Sequence, residues 1–255
     1  MELDVWVVAL LCFAYFAAGF IDSIAGGGGL ISVPAFLLTG TPPEVVLGTN
    51  KMASCCGMAT ALHNYARSGL VVWRAAWIGV PMVVLGAVLG ANFLLFFDSV
   101  AIGKIIVMLL PLGILATFMP KKDQGRHEDM TPRGLYVYLP LICLILGFYE
   151  GFFGPGAGSF FILTLHFFLR FGLLQASATT KLLNLGACFS GFLVLMWHGK
   201  VLYLLGLPLA TANILGNYVG SKLAIRIGAG FVRRLLSVSL SLLFISLVWK
   251  FWGGD

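Results

Sequence analysis

The chain has 255 residues, 60% of them apolar and 10% charged, with a net charge of +6. So little charge cannot cover a water-exposed globule of this length, which excludes a soluble domain. The basic residues stand mostly in short loops beside apolar runs, so their excess marks membrane topology rather than nucleic-acid binding.

The acidic start, Met1-Glu2-Leu3-Asp4, has no basic region and no clear cleavage site behind it, so the first apolar run reads as a retained membrane helix over 4–25, not a signal peptide. Gly26 to Gly29 interrupts it, and a short apolar piece follows over 29–39. Longer helices are expected near 44–66, 72–97 and 101–119. After a polar stretch too short to fold alone comes a second set: a helix over 135–153, a break at Gly154 to Gly158, a short piece over 158–170, and helices near 175–197, 202–224 and 231–251. A long segment reaches across a hydrocarbon core roughly 30 Å thick at about 1.5 Å per residue, and a piece of about a dozen residues does not. The expected fold is an all-α polytopic membrane protein with eight long helices and two short broken or half helices. The chain divides into a first repeat at 1–120, a linker at 121–133 and a second repeat at 134–255.

The halves are copies. Gly19-Phe20-Ile21-Asp22 matches Gly147-Phe148-Tyr149-Glu150 at an offset of 128, and each leads into a glycine-rich break. Thr49-Asn50-Lys51 matches Thr179-Thr180-Lys181 at an offset of 130, as do Gly86 and Gly90 with Gly216 and Gly220. An ordered series at nearly constant spacing argues for duplication, common in transporters. If each short piece changes side, Arg67, Arg74, Lys121, Lys122, Arg126, Arg133, Arg170, Lys222, Arg226, Arg233 and Arg234 share one face, against Lys104, Lys200 and Lys250. The positive-inside rule then favours inverted repeats in the cell (inner) membrane, with a cytoplasmic central loop and both termini outside.

Four ionisable residues remain at membrane depth, as two repeat-related pairs: Asp22 with Glu150, and Lys51 with Lys181. Each charge at the bilayer centre costs at least about 2.5–3.5 kcal/mol on insertion scales, so the four require a compensating environment. One reading is internal salt bridges or lysines snorkelling to the headgroups. The other is a central cavity in which Lys51 and Lys181 attract an anion while Asp22 and Glu150 bind protons or balance charge. Gly27, Gly28, Gly29, Gly156 and Gly158 stand where short helices begin, and a helix start offers unpaired N–H groups and a positive dipole end to an anion. Thr49, Asn50, Thr179, Thr180 and Asn184 flank the lysines and can donate hydrogen bonds, or serve as ordinary glue between helices. The GxxxG pairs read as helix contacts. Cys12, Cys55, Cys56, Cys143 and Cys188 lack CxxC spacing, and His63 and His166 lack partners at metal spacing, so no metal or cofactor is expected.

Ala18-Gly-Phe-Ile-Asp-Ser-Ile-Ala-Gly-Gly-Gly-Gly-Leu-Ile-Ser-Val-Pro34, with Leu47-Gly-Thr-Asn-Lys51, closely resembles the signature of the TauE/SafE sulfite exporter family, also called toluene sulfonate uptake permeases. Gly147 to Ser159 and Ala176 to Asn184 resemble its second motif, so the likeness covers essentially the whole chain. Where the family often has Asp, this chain has Glu150. The resemblance implies a secondary transporter of sulfite, sulfonate or a related sulfur-containing anion, within about eight helices from a duplicated four-helix unit. The residues alone point to a small-anion transporter working by alternating access, with protons as a coupling partner, the bilayer as solvent and the oligomeric state open. A passive anion channel is the alternative. An enzyme is not expected, for want of GxSxG, HExxH or a cysteine cluster, and a scaffold role leaves the buried lysines unexplained.

Overall fold

The computed structural model describes residues 4–118 and 133–228, with the backbone alone at 107 and 110–118. The linker at 121–133, except Arg133, and the last helix, 231–251, lie outside the described residues, as do Lys121, Lys122, Arg126, Arg233, Arg234 and Lys250.

The described residues form nine α-helices: α1 Val5–Ala25, α2 Gly29–Leu37, α3 Pro43–Arg67, α4 Trp73–Leu94, α5 Ser99–Phe118, α6 Leu139–Phe152, α7 Ala157–Leu169, α8 Leu173–Trp197 and α9 Tyr203–Ile227. By length and apolarity α1, α4, α8 and the segment Gly134–Phe152 each suffice to cross a membrane. Leu10, Phe13, Trp77, Leu141 and Leu204 are among many large apolar side chains left exposed, an outer surface that only lipid solvates well. The chain is thus an all-α polytopic membrane protein.

Local chemistry sets the boundaries. Pro43 occupies the first turn of α3, where its missing N–H is no loss. The first turn of the helix expected at 135–153 is a π turn, Gly134–Tyr138, that runs into α6. Pro140 cannot donate to the carbonyl one turn back, and a wider turn accommodates the missing bond. With 9 and 13 residues, α2 and α7 extend only about 14 Å and 20 Å, too short to cross a bilayer alone.

The duplication is visible in the packing. α4 lies chiefly on α6 as α1 lies on α9, α3 meets α9 as α8 meets α4, and α3 meets α8 at the centre. Glycines make these contacts close. Gly86 faces the Leu144 carbonyl and Gly216 the Phe16 carbonyl; Gly90 faces the Phe148 carbonyl and Gly220 the Phe20 carbonyl. The same offsets of 128 and 130 that relate the sequences relate these contacts, so each half lends its third long segment to cover the other half's first.

Candidate functional site

The two intramembrane lysines are already engaged. Lys51 on α3 places Nζ 3.3 Å from Glu150 Oε1 on α6 and also donates to the Glu150 main-chain carbonyl. Lys181 on α8 places Nζ 3.0 Å from Asp22 Oδ2 on α1 and donates to the Asp22 carbonyl. Each lysine therefore takes its carboxylate from the opposite half. The side chains are sealed, at 3% and 6% exposure in the first pair and 0% and 9% in the second. Both carbonyls belong to the last turn of their helix, where the dipole is negative, so each ammonium meets a formal and a partial negative charge. The four charges cancel, which is how they are tolerated at this depth. The internal salt bridges of the first reading are formed in this structure, and neither lysine stands as an uncompensated positive charge.

The helix breaks bring these pairs together. Gly26 ends α1 in the left-handed conformation at φ 78°, and its N–H bonds the Asp22 carbonyl at 2.9 Å. Gly154 and Gly156 are left-handed too, at φ 95° and 85°, conformations that side chains other than glycine resist. The Ser159 N–H donates to the Gly26 carbonyl at 3.2 Å, and its hydroxyl to the Ala25 carbonyl at 2.9 Å. A Cβ on Gly29 would stand 2.9 Å from the Pro155 Cα. The two breaks thus touch, and a side chain at Gly26, Gly29 or Gly158 would collide with the facing backbone. The Asp22 carboxylate also accepts the Gly28 N–H, at 3.4 Å, tying the start of α2 to the end of α1.

At this junction lies a cavity of about 20 Å³, room for one water molecule. Of the residues expected to hold substrate, Lys51, Asn50, Asn184, Gly28, Gly29, Gly156 and Gly158 line it, together with Asp22 and Glu150. Lys181, Gly27, Thr49, Thr179 and Thr180 lie outside the lining. The Thr49 hydroxyl accepts the Leu202 N–H at 3.0 Å, and the Thr179 hydroxyl accepts the Val72 N–H at 3.0 Å. These repeat-related bonds hold the residue before α9 and the residue before α4, so both threonines serve helix starts in the opposite half. The reason is angular: two residues from its lysine, each threonine points about 200° away around the helix. Thr180 is fully buried, and its hydroxyl makes no hydrogen bond. Asn50 Oδ1 accepts the Ser32 hydroxyl at 2.7 Å, whereas the Asn184 Oδ1 is buried without a partner.

Sequence reasoning missed Ser54, Met58, Cys188 and Asn213, which also line the cavity. A signal was present for three of them. Lys51, Ser54 and Met58, like Lys181, Asn184 and Cys188, stand at i, i+3 and i+7 on one helix face. Among the described residues no group of three metal-ligating side chains gathers, and His166 Nδ1 lies 2.6 Å from the Phe171 carbonyl just past the end of α7.

Comparison with known proteins matches this architecture to one family. The sulfite exporter TauE/SafE family matches residues 11–247. The chain is 39% identical over 243 residues to a probable membrane transporter protein, ORF9, of Sinorhizobium sp., covering 93% of this chain and 90% of the relative. It is 34% identical to a probable membrane transporter protein of Haemophilus influenzae, covering 93% of each chain. It is 31% identical to the probable membrane transporter protein YfcA of Escherichia coli K12, covering 98% and 92%. No solved structure matches. With glycine-broken helices, crossed ion pairs and relatives of this kind along nearly its whole length, the chain belongs to the TauE/SafE sulfite exporter family of membrane transporters.

Proposed function

We propose that the protein moves a small sulfur-containing oxyanion, of the sulfite or organosulfonate class, by alternating access of two inverted halves about the central cavity, together with a proton. The observation that carries this reading is that each buried lysine is neutralised by an acid of the opposite half. A proton taken up by Glu150 removes the countercharge of Lys51 and leaves its ammonium for an anion. The local charge then stays at zero before and after loading, so the low-dielectric interior never holds an uncompensated ion. Because Lys51 and Glu150 belong to different halves, loosening their bond loosens the halves themselves. The cavity admits one water, so an oxyanion is taken in only as the halves separate. The left-handed glycines at the breaks provide backbone that can rotate without side-chain clashes. Asn50 and Asn184 amides and the N–H groups at the starts of α2 and α7 supply neutral donors for the anion oxygens.

Purified protein in liposomes tests the reading. Uptake of sulfite, sulfate, thiosulfate, sulfoacetate and an aromatic sulfonate is followed with and without a pH gradient. At least one sulfur anion is expected to accumulate saturably and uphill when protons flow with it, and Lys51→Ala is expected to abolish this. Linear, unsaturable flux that no proton gradient drives uphill would identify a channel instead. Unaltered binding in both Lys51→Ala and Lys181→Ala would remove the site.

A further inference from the structure

Because the halves match at offsets of 128 and 130 in sequence and in several helix contacts, a side chain can be compared with its counterpart to find where the copies have diverged. On the seam where α9 packs against α1 and α3, Asn213, Asn217 and Ser221 follow at four-residue spacing along one face of α9. Asn213 lines the central cavity. Asn217 Nδ2 donates to Asn213 Oδ1 at 2.9 Å, and Asn64 Nδ2 of α3 donates to Ser221 Oγ at 2.8 Å. Tyr65 donates its hydroxyl to the Ser23 carbonyl at 2.8 Å in the same seam. The polar row thus runs from the cavity to half-buried Asn64 and exposed Lys222, at the helix ends that carry Arg67 and Arg226.

The counterparts on the α4–α6–α8 seam are apolar. Val83 stands for Asn213, Ala87 for Asn217, Ala91 for Ser221 and Leu195 for Tyr65, and all four are 0% exposed. Gly86 and Gly90 meet α6 as Gly216 and Gly220 meet α1, and Gly147 meets Val83 as Gly19 meets Asn213, so the two seams share these close contacts while their buried side chains differ. Polar glue alone does not account for the row. Asn217 is fully buried, yet its Oδ1 has no hydrogen-bond partner, a cost that a packing role would avoid with alanine, as the other half does. The room these amides occupy is provided by Gly57, where a Cβ would stand 3.0 Å from Asn213 Cγ.

We propose that the α1–α3–α9 seam is the hydrated route between the central cavity and the basic face of the membrane, with Asn213 and Asn217 as its polar gate, and that the α4–α6–α8 seam is a dry seal. In an inverted duplication the two seams lead to opposite faces. The protein then opens to the basic face by wetting a polar seam and to the other by parting an apolar one. The Asn213 amide, with one N–H bonded to the Tyr15 carbonyl, has a second to donate to a passing anion, and the unpaired Asn217 Oδ1 accepts from the water that travels with it, a stage between Lys51 and the aqueous phase that adds no charge. This rests on the transporter reading above, but its test does not depend on which anion is carried.

Single cysteines are placed at Asn217 and, separately, at its counterpart Ala87, in protein whose five native cysteines are replaced by serine or alanine. Labelling by the membrane-impermeant anion 2-sulfonatoethyl methanethiosulfonate is timed from each side of sealed vesicles. Asn217→Cys is expected to react at least tenfold faster than Ala87→Cys, and only from the basic face. Equal rates, faster reaction at Ala87→Cys, or reaction of Asn217→Cys from the opposite face would overturn the proposal. If Asn217→Cys does not fold, Ser221→Cys and Ala91→Cys give the same comparison with the same expected ratio. Absence of sulfur-anion uptake alongside asymmetric labelling would defeat the substrate reading and leave the seam standing.

Discussion

Replacing Lys181 by methionine removes one charge of a fully sealed pair while keeping most of the side-chain volume. The lost ammonium donates both to Asp22 Oδ2 and to the Asp22 carbonyl, and the lysine side chain is 0% exposed. Asp22 would be left as a buried carboxylate supported by the weaker bond from the Gly28 N–H. Removing one partner of a buried pair costs about 3–5 kcal/mol, whereas replacing both by neutral groups is often close to neutral. At about 2–4 °C per kcal/mol for a chain of this size, Lys181→Met should lower the midpoint of thermal unfolding in detergent by roughly 10 °C. Asp22→Asn combined with Lys181→Met should recover most of that loss. The same double variant should not recover uptake, because stability needs only charge balance whereas the proposed exchange needs a releasable lysine. A single variant as stable as the parent, or a double variant no better than the single, would refute the view that the pair is a sealed, mutually compensating one.

Glu150→Gln keeps a group that can accept from Lys51 but cannot gain or lose a proton; anion uptake, which should rise in the parent as the loading side is acidified, should become independent of pH, as measured in liposomes over a pH series. Thr49→Val and Thr179→Val each remove the acceptor of one backbone N–H, so each should cost about 1 kcal/mol of thermal stability and leave the KM for uptake unchanged. Gly26→Ala imposes a side chain at φ 78° and sets its Cβ 2.6 Å from the Ser159 nitrogen; a loss of at least about 2 kcal/mol is expected, seen as failure to yield monodisperse protein. Gly86→Leu and Gly216→Leu press on equivalent carbonyls, of Leu144 and Phe16, and should impair folding to the same degree by size-exclusion profile.

The helices could be read from the chain because lipid leaves a backbone few options: apolar runs of sufficient length must be helical, and Gly26, Pro43 and Gly154 to Gly158 can only punctuate them. Repetition located the four charges, since Asp22, Glu150, Lys51 and Lys181 recur at the same place in each copy. The partner of each lysine was not legible. Whether Lys51 meets Asp22 of its own half or Glu150 of the other depends on how α3 and α6 lie in space, which no local pattern encodes. The neighbours of the lysines divide for a similar reason: Thr49 and Asn50 are adjacent in sequence, yet about 100° of helical rotation sends one to a helix start and the other to the cavity. Asn213 gave no signal because its repeat partner, Val83, is apolar, and a search for matched residues passes over one that has diverged. Solvent and period sufficed to place the helices among the described residues and to single out four recurring charges. Tertiary structure decided which charges neutralise each other and which polar side chains share one cavity, because both depend on how the two halves interleave.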